Sequence, residues 1–307
     1  MGTPDFAVPF LEALYARHPL ALVVTQPDRP KGRGRALAAP AVKVRALELG
    51  LPVVEPESLK TPEFHALVRE QAADLLVVVA FRILPASLFP LARLGAVNVH
   101  GSLLPKYRGA APIQWAIAAG EAETGVTVFQ LDAQVDHGGI LAREATPIGP
   151  EETAGDLFLR LREMGTGLLL RVLDDLEAGR ASPLEQDHGL STPAPKLKKE
   201  DGRLDWTRPA QKLHDLIRAF SPYPTCYTTQ AGTGRVLRIH ASRVEADPDP
   251  PGAPGEVRIS QDRHPLVVTG QGLLKLVEVQ WEGKPRVGGS EFVNGLQPPE
   301  RTALRFQ

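Results

Sequence analysis

The chain has 307 residues, 43% hydrophobic and 23% charged, a composition typical of a folded protein of one large or two smaller domains. The formal net charge of −1 gives no global field for a polyanion, so any nucleic-acid affinity must come from local clusters of Lys and Arg. The only cysteine, Cys226, excludes an internal disulfide, and no apolar run reaches the length of a membrane span. No signal peptide is recognisable, and we expect a cytoplasmic protein.

The N-terminal half alternates helical and extended patterns. Helices are predicted at residues 6–15, 42–49 and 61–71, and strands at residues 20–24, 51–54 and 74–80. The last of these strands contains a continuous apolar run, which is typical of a buried parallel strand. This alternation predicts an α/β fold with a doubly wound, mostly parallel sheet. The absence of a G-x-G-x-x-G fingerprint disfavours a dinucleotide cofactor.

A short strand around residue 98 carries the first candidate functional groups. Alternation places Val97 and Val99 on one face of this strand, and Asn98 and His100 on the other. Residues two apart on a strand are about 7 Å apart and point the same way. Gly, Ser and Pro then end the strand, and functional sites of open α/β sheets gather at such ends.

Asp136 follows the next predicted strand, residues 125–132, in a turn that contains a Gly-Gly pair. A carboxylate beside His100 favours its imidazolium form, and an amide with an imidazolium can stabilise an oxyanion. Asp136 is a candidate carrier for the proton that an attacking group loses. Since no Ser or Cys stands out as a nucleophile, the pattern predicts direct transfer of an acyl-like unit between two bound substrates.

Other interpretations of these residues remain open. A single histidine near a strand end is often structural, and a single aspartate in a turn is often a turn former. A metal site built from His100, Asp136 and His137 is conceivable, but the spacing lacks a ligand signature, and we expect no metal. The Gly-Gly pair either allows a ligand to approach the backbone or simply makes the turn.

Two basic clusters and a composition change mark the rest of the chain. The loop at residues 25–35 carries four cations among Pro and Gly, and residues 182–197 form a Pro-, Ser- and Thr-bearing linker that ends in lysines. Each cluster is either a solvated surface or an arm that contacts phosphates. Helical spacing after a capping sequence at residues 153–156 predicts a long amphipathic helix.

The C-terminal part predicts a second architecture. One helix, residues 211–220, precedes short strands at residues 236–243, 255–259, 265–269 and 272–280. Short strands separated by Gly and Pro turns are typical of a small β-barrel. We therefore expect a catalytic domain at residues 1–181, a linker at 182–203 and a β-barrel domain at 204–307.

Several motifs resemble those of the methionyl-tRNA formyltransferase family. They cover nearly the whole chain, at residues 2–7, 26–34, 98–105, 108–114, 123–127, 196–206 and 218–224. The Asn/His/Asp set and the Ser-Leu-Leu-Pro turn are shared by a wider group of 10-formyltetrahydrofolate-dependent enzymes, which includes glycinamide ribonucleotide and sugar formyltransferases. The basic loop and the C-terminal domain are similar to those of the tRNA enzymes in particular.

This resemblance implies a function and a set of site residues. The implied catalytic residues are Asn98, His100 and Asp136, and the implied folate-binding residues are Ser102, Leu103, Leu104 and Pro105. The implied tRNA contacts are Arg29, Lys31, Arg33, Arg35, Lys196, Lys198 and Lys199. The implied reaction is attack of the methionine α-amine of initiator methionyl-tRNA on the formyl carbon, with 10-formyltetrahydrofolate as a co-substrate rather than a retained cofactor. The implied fold is a Rossmann-like sheet followed by an OB-like barrel, in a monomer without membrane contact.

Two departures from the family pattern carry expectations of their own. The family begins with an apolar strand ahead of Gly-Thr-Pro, and Met1 stands where that strand would end. We expect the sheet to lack this first strand and the native start to lie upstream. The segment 81–85 (Phe-Arg-Ile-Leu-Pro) is one residue shorter than in the family and lacks its glycine.

Two further functions stay open at this point. One is formyl transfer to a sugar or purine precursor, which the basic loop and the extra domain disfavour. The other is a catalytically degraded RNA-binding relative.

Overall fold

The computed structural model describes residues 1–31, 36–245, 252–297 and 304–307. The chain divides into two compact units. Unit 1 comprises Met1–Pro112, Thr124–Thr146 and Phe158–Ala194, and unit 2 comprises Ile113–Glu123, Pro147–Leu157 and Pro195–Gln307. No helix within these described ranges is long and apolar enough to cross a membrane.

Helices and strands alternate through the first half of the chain, and strands dominate the last third. The helices are α1 (Val8–Arg17), α2 (Ala41–Glu48), α3 (Pro62–Glu70), α4 (Pro112–Ala119), α5 (Ala154–Glu177), α6 (Ala210–Ala219) and α7 (Gly289–Gly295). The strands are β1 (Val23–Val24), β2 (Arg29–Lys31), β3 (Ala36–Ala38), β4 (Val53–Val54), β5 (Leu76–Val79), β6 (Ala96–His100), β7 (Arg108–Gly109), β8 (Glu123–Gln130), β9 (Ile140–Pro147), β10 (Pro193–Ala194), β11 (Cys226–Thr229), β12 (Val236–Glu245), β13 (Val257–Ile259), β14 (Pro265–Val268), β15 (Leu273–Trp281) and β16 (Val287–Gly288). Short 3₁₀ helices cover Asp5–Ala7, Ala86–Leu91, His188–Leu190 and Lys199–Gly202.

Unit 1 is built around a mostly parallel set of strands. Four strands form one sheet in the order β5-β6-β8-β9, and β1 pairs in parallel with β4 in a second sheet. β6 is parallel to β5 and antiparallel to β8. This arrangement and the barrel of unit 2 confirm the predicted fold class.

Met1 and Gly2 lie between β1 and β5. The Gly2 amide donates to the Val24 carbonyl at 3.0 Å, and the Val79 amide donates to the Met1 carbonyl at 2.9 Å. Gly2 also forms a parallel bridge with Val79. A cavity of about 690 Å³ lies beside this connection and is lined mainly by apolar side chains of α1, β1 and β5. Only Met1 and Gly2 therefore stand in the position of the expected first strand.

The register of β6 fixes which face carries the polar side chains. Val97 and Val99 are buried, and Gly165 of α5 packs against Val99 so closely that an added Cβ would lie 3.2 Å from it. Burying a valine side chain contributes about 1.5–3 kcal/mol, and a slip of one residue would put Asn98 and His100 on this apolar face instead. Burial of the valines thus directs the two polar side chains to the opposite face.

The predicted capping sequence starts α5. The Thr153 amide donates to the Asp156 carboxylate at 3.1 Å, and the Asp156 amide donates to the Thr153 hydroxyl at 3.2 Å, a reciprocal capping box. Further along the helix, Leu161, Leu168 and Val172 are buried, as the apolar spacing predicts. Capping and periodicity are local signals, which is why the sequence locates this helix well.

In unit 1, one strand prediction was wrong in extent, and one strand was not predicted. The predicted strand at residues 20–24 is reduced to Val23–Val24, since only these residues pair with β4. Ile140–Pro147 forms β9, for which no strand was predicted. β9 is an edge strand with mostly half-buried or exposed residues, so it lacks the apolar run that marks β5.

Unit 2 contains the predicted β-barrel. Its sheet has the order β11-β12-β15-β14-β13, with β16 attached to β15. The C-terminal residues join the two ends of this order, because Phe306 bridges to Gln230 after β11 and Arg305 bridges to Glu256 before β13. β11, β16, α7 and this closing segment were not predicted from the sequence, because each is short and is defined by its distant partners.

Candidate functional site

One side of the candidate site of unit 1 is formed by strand β6, which carries Asn98 and His100. Asn98 is paired with Val78 of β5 and Phe129 of β8, so its backbone position is fixed from both sides. Its side chain is half-buried. Within the described residues, the Asn98 amide makes no hydrogen bond, so its donors are available to a bound molecule.

The His100 ring is held in one orientation. Its Nε2 lies 2.8 Å from the Tyr107 carbonyl, and because a carbonyl only accepts, Nε2 carries the hydrogen. The ring also meets Phe129 edge-on at 6.4 Å between centroids. Nδ1 therefore faces the second side of the site, where it lies 3.8 Å from an Asp136 carboxylate oxygen. The side chain is 6% exposed, so solvent weakens this interaction little.

Asp136 reaches the site from the turn between β8 and β9. Its Oδ2 accepts a hydrogen bond from the Gly109 amide at 2.8 Å. The residue is buried, and its φ of +50° lies in the left-handed region that non-glycine residues rarely adopt. The structure therefore brings together Asp136 and His100, which belong to different elements of the chain.

The Gly-Gly pair packs against the chain itself. A Cβ on Gly138 would lie 1.9 Å from the Gln130 carbonyl oxygen, and one on Gly139 would lie 2.7 Å from the Pro183 Cβ. These glycines are required where the turn approaches its own backbone and a neighbouring proline. This observation favours the turn-forming interpretation over direct approach of a ligand.

The turn at residues 102–105 lies next to the His100 end of β6. The Ser102 hydroxyl donates to the Lys106 carbonyl at 2.7 Å, and Leu104 is fully buried beside Phe129. Both side chains are thus engaged within the protein. Leu103 and Pro105 are half-buried, so they present apolar surface at this turn.

The short segment after β5 is bonded to residues 56 and 57 through the side chain of Arg82. Ala80 has a φ of +46°, and Arg82 donates to the Pro56 carbonyl at 2.7 Å and to the Glu57 carbonyl at 3.0 Å. Burial, and then the nearby charge of Arg29, lowers the pKa of Arg82. The segment that is shorter than the family pattern is therefore tied to the neighbouring loop rather than left open.

The predicted basic clusters are described in part. Arg29 is exposed on β2, which pairs with β3 in an antiparallel hairpin. Lys31 ends β2, and Arg33 and Arg35 lie outside the described residues. The lysines of the second cluster, in unit 2, are exposed and have no salt bridge within the described residues: Lys196, Lys198 and Lys199.

Two residues near Asp136 were not predicted from the sequence. Gln186 is 4% exposed and donates from Nε2 to the Asp136 and Gly138 carbonyls, at 3.1 and 2.8 Å. The His188 ring stacks on His137 at 3.9 Å between centroids. Neither residue has a sequence signal of its own, because both lie in a segment with the composition of a linker.

The arrangement favours transfer chemistry without a protein nucleophile. Cys226 is fully buried in unit 2, and burial raises the pKa of its thiol well above the usual range. The described residues contain no group of three His, Cys, Asp or Glu side chains that could hold a metal ion. What unit 1 offers instead is an unpartnered amide, an oriented imidazole and a buried carboxylate. Together these groups can stabilise an oxyanion and accept a proton.

Comparison with known families accounts for most of the chain. Residues 1–173 match the family Formyl transferase, and residues 196–297 match the family Formyl transferase, C-terminal domain. Among solved structures, the fold is similar to that of WlaRD, a sugar 3N-formyl transferase crystallised in the presence of dTDP and 5-N-formyl-THF. The TM-score is 0.68 over 92% of this chain and 97% of that one, at 18% identity, so this likeness concerns the fold alone.

Curated relatives are similar over nearly the full length. A methionyl-tRNA formyltransferase of Solibacter usitatus is 46% identical over 308 residues, covering 99% of this chain and 97% of the relative. One of Koribacter versatilis is 48% identical over 301 residues, covering 97% and 95%. The chain therefore belongs to the formyl transferase family, among the proteins named methionyl-tRNA formyltransferase.

Proposed function

We propose that this protein transfers the formyl group of 10-formyltetrahydrofolate to the α-amine of methionine on initiator methionyl-tRNA. The observation that carries the proposal is the match at 46–48% identity, over nearly the full length, to relatives named for this activity. The geometry of unit 1 supports it, because transfer to an amine needs oxyanion stabilisation and a proton acceptor but no protein nucleophile. The likeness to a sugar enzyme at 18% identity does not favour a sugar acceptor.

In the proposed mechanism, the methionine amine attacks the formyl carbon directly. A C–N bond forms, and the formyl oxygen becomes an oxyanion that accepts hydrogen bonds from the Asn98 amide and from Nδ1–H of the His100 imidazolium. Nε2–H stays on the Tyr107 carbonyl, which keeps Nδ1 directed at the reaction. Such preorganised donors lower a barrier because they need not reorient as charge develops.

Asp136 has two roles in this scheme, stabilising the charge of His100 and accepting a proton. Its carboxylate stabilises the His100 imidazolium across 3.8 Å and takes up, directly or through a water, the proton that the amine loses. The proton then returns to N10 of the folate as the bond between N10 and the formyl carbon breaks. Atoms and charge balance, and the products are formylmethionyl-tRNA and tetrahydrofolate.

The co-substrate and the tRNA are assigned to different surfaces. We place the folate against the turn at residues 102–105, with Leu103 and Pro105 as apolar contacts and with Ser102 and Leu104 shaping the backbone, because their side chains are engaged internally. Clustered cations can neutralise a phosphate backbone, which supports tRNA contacts at the basic loop and the lysine cluster. These contacts are Arg29, Lys31, Arg33, Arg35, Lys196, Lys198 and Lys199.

The proposal also assigns roles to the domains, a cellular location and an oligomeric state. Residues 1–181 form the catalytic domain, and residues 182–203 are the linker to the next domain. The barrel at 204–307 binds the body of the tRNA. Aminoacylated tRNA and reduced folate are both cytoplasmic, which supports a cytoplasmic location. We propose a monomer, which light scattering of the purified protein checks.

The test is formyl transfer to defined acceptors. Purified protein is incubated with 10-formyltetrahydrofolate and methionyl initiator tRNA, and formylmethionine is quantified by mass spectrometry after ester hydrolysis. We expect turnover with the charged tRNA and none with an amino-sugar nucleotide or glycinamide ribonucleotide. Turnover with one of these small acceptors and not with the tRNA would contradict the proposal, and tRNA binding without any product would indicate a degraded RNA-binding relative.

A further inference from the structure

The segment at residues 182–194, here called the return segment, runs back along the candidate site. At one end, Leu184 exchanges two backbone hydrogen bonds with Ile140, at 2.7 and 2.8 Å. At the other end, β10 pairs in parallel with β7, and the Thr192 hydroxyl accepts from the Tyr107 amide at 2.9 Å. The return segment is therefore fixed at both ends beside the two loops that surround His100.

Gln186 is the buried side chain of this segment. Its immediate neighbours are exposed, yet Gln186 is 4% exposed, which is unusual for an amide in a segment of this composition. Its Nε2 donates to two backbone carbonyls of the turn that carries the carboxylate, those of Asp136 and Gly138. Its Oε1 accepts from Arg108 at 2.6 Å. A single amide thus links the carboxylate-bearing turn to β7.

The turn held by Gln186 does not adopt a relaxed conformation. Asp136 has a φ of +50°, a region in which a non-glycine backbone persists only when its surroundings hold it there. Its carboxylate depends on this backbone, since Oδ2 must reach both the Gly109 amide and the Nδ1 side of His100. Without the two amide donors, buried carbonyls would lose their partners, and the turn would relax to find others.

Arg108 and His188 form further contacts around Gln186 and the turn that carries Asp136. The Nη2 group of Arg108 donates both to Gln186 and to Nδ1 of His188, the latter at 2.8 Å. The His188 ring stacks on His137, which in turn pairs with Asp132 at 2.6 Å. Side chains from outside the turn therefore contact it in its middle, at residues 136–138.

We propose that Gln186 is a positioning residue for Asp136, acting through the Asp136 and Gly138 carbonyls to keep the carboxylate between Gly109 and His100. This inference rests on the proposed role of Asp136 as the charge-stabilising and proton-accepting group. Gln186 touches neither substrate in this scheme. Its effect is on the placement of the group that does the chemistry.

The decisive variant is Gln186→Glu. A glutamate has nearly the same shape and keeps an acceptor for Arg108, but it cannot donate to the two carbonyls. Displacement of a catalytic group by about 1 Å costs up to about 100-fold in rate, so we expect kcat to fall by about 10- to 100-fold with the KM values for both substrates unchanged. Hydrogen exchange of a peptide covering residues 132–141 should become faster. Gln186→Met, which is apolar and also lacks donors, should give the same result without an added charge.

The matched control is Gln134→Glu, the same chemical change at an exposed position on the same turn. It should leave kcat and the exchange of residues 132–141 as in the wild type. Wild-type kcat and exchange in both Gln186 variants would overturn the inference. So would a loss of activity that parallels unfolding and weaker folate binding, since that result marks a merely structural role.

The two proposals fail in distinguishable ways. If the wild type transfers no formyl group to any acceptor, the proposed function fails, while the exchange of residues 132–141 still reports whether Gln186 holds the turn. If the wild type formylates methionyl-tRNA and both Gln186 variants do so equally fast, only the positioning inference fails.

Discussion

The site around His100 and the lysine cluster of unit 2 use polar groups in opposite ways. At the first, a buried imidazole and a buried carboxylate are held by backbone groups from β7 and its preceding loop. At the second, Lys196, Lys198 and Lys199 are exposed and make no salt bridge within the described residues. Groups that are already oriented suit a reaction, and free cations suit a mobile polyanion. Substitutions at the two regions should therefore change different kinetic constants.

Removal of the His100 imidazole should have the largest effect. We expect His100→Ala to lower kcat by at least about 1,000-fold, because the oxyanion loses its charged donor. Binding of tRNA, measured by fluorescence anisotropy, should be unchanged, because the ring lies inside unit 1 and is 6% exposed. A loss of tRNA binding as large as the loss of kcat would mean that His100 is structural. The two regions would then not differ in the kinetic constants that they affect.

The next largest effect should come from Asp136→Asn. The amide can still accept the Gly109 hydrogen bond, but it carries no charge for His100 and takes up no proton. We expect kcat to fall by about 100-fold in a steady-state formylation assay, with the fold intact by circular dichroism. An asparagine variant with wild-type kcat would remove Asp136 from the mechanism.

The lysine cluster should affect binding instead. Replacing Lys196, Lys198 and Lys199 with Ala should raise KM for the tRNA about tenfold and flatten its dependence on salt by about two units of logarithmic slope. The matched control is the triple Lys→Arg variant, which keeps the charge and should keep the slope. An unchanged slope in the alanine variant would exclude these lysines from the phosphate contacts.

An exposed polar group that does have partners provides the smallest expected effect. On the barrel of unit 2, hydrogen bonds from Lys275 and Ser260 lower the pKa of Asp262 from 3.8 to about 2. A carboxyl whose folded pKa is lowered stabilises the fold above its unfolded pKa and loses this contribution as pH falls through the folded one. Asp262→Asn should therefore lower the urea midpoint slightly at neutral pH, and the difference should shrink between pH 3.8 and about 2. A pH-independent difference would contradict this assignment.

Local signals in the sequence predicted more than distant pairings did. The capping box of α5, its apolar stripe and the alternation of β6 involve residues within a few positions of one another, and the structure contains all three. The barrel is closed through Phe306, which pairs with a residue far away along the chain, so no local sequence pattern predicts this closure.

The same division holds within the candidate site. The sequence pairs Asn98 with His100 by alternation and offers Asp136 as a candidate partner, and the structure has the Asp136 carboxylate 3.8 Å from the His100 ring. Gln186 was missed because its importance lies in two carbonyls 50 and 48 residues away. A side chain that acts through the backbone of another segment has no motif of its own.

The most direct test is single-turnover formylation at saturating methionyl-tRNA, compared between His100→Ala and the triple lysine-to-alanine variant. We expect saturation to restore the wild-type rate in the lysine variant and to leave His100→Ala at least about 1,000-fold slower. A lysine variant that stays slow at saturation, or a His100→Ala variant that saturation restores, would contradict the division between a reacting site and a binding surface.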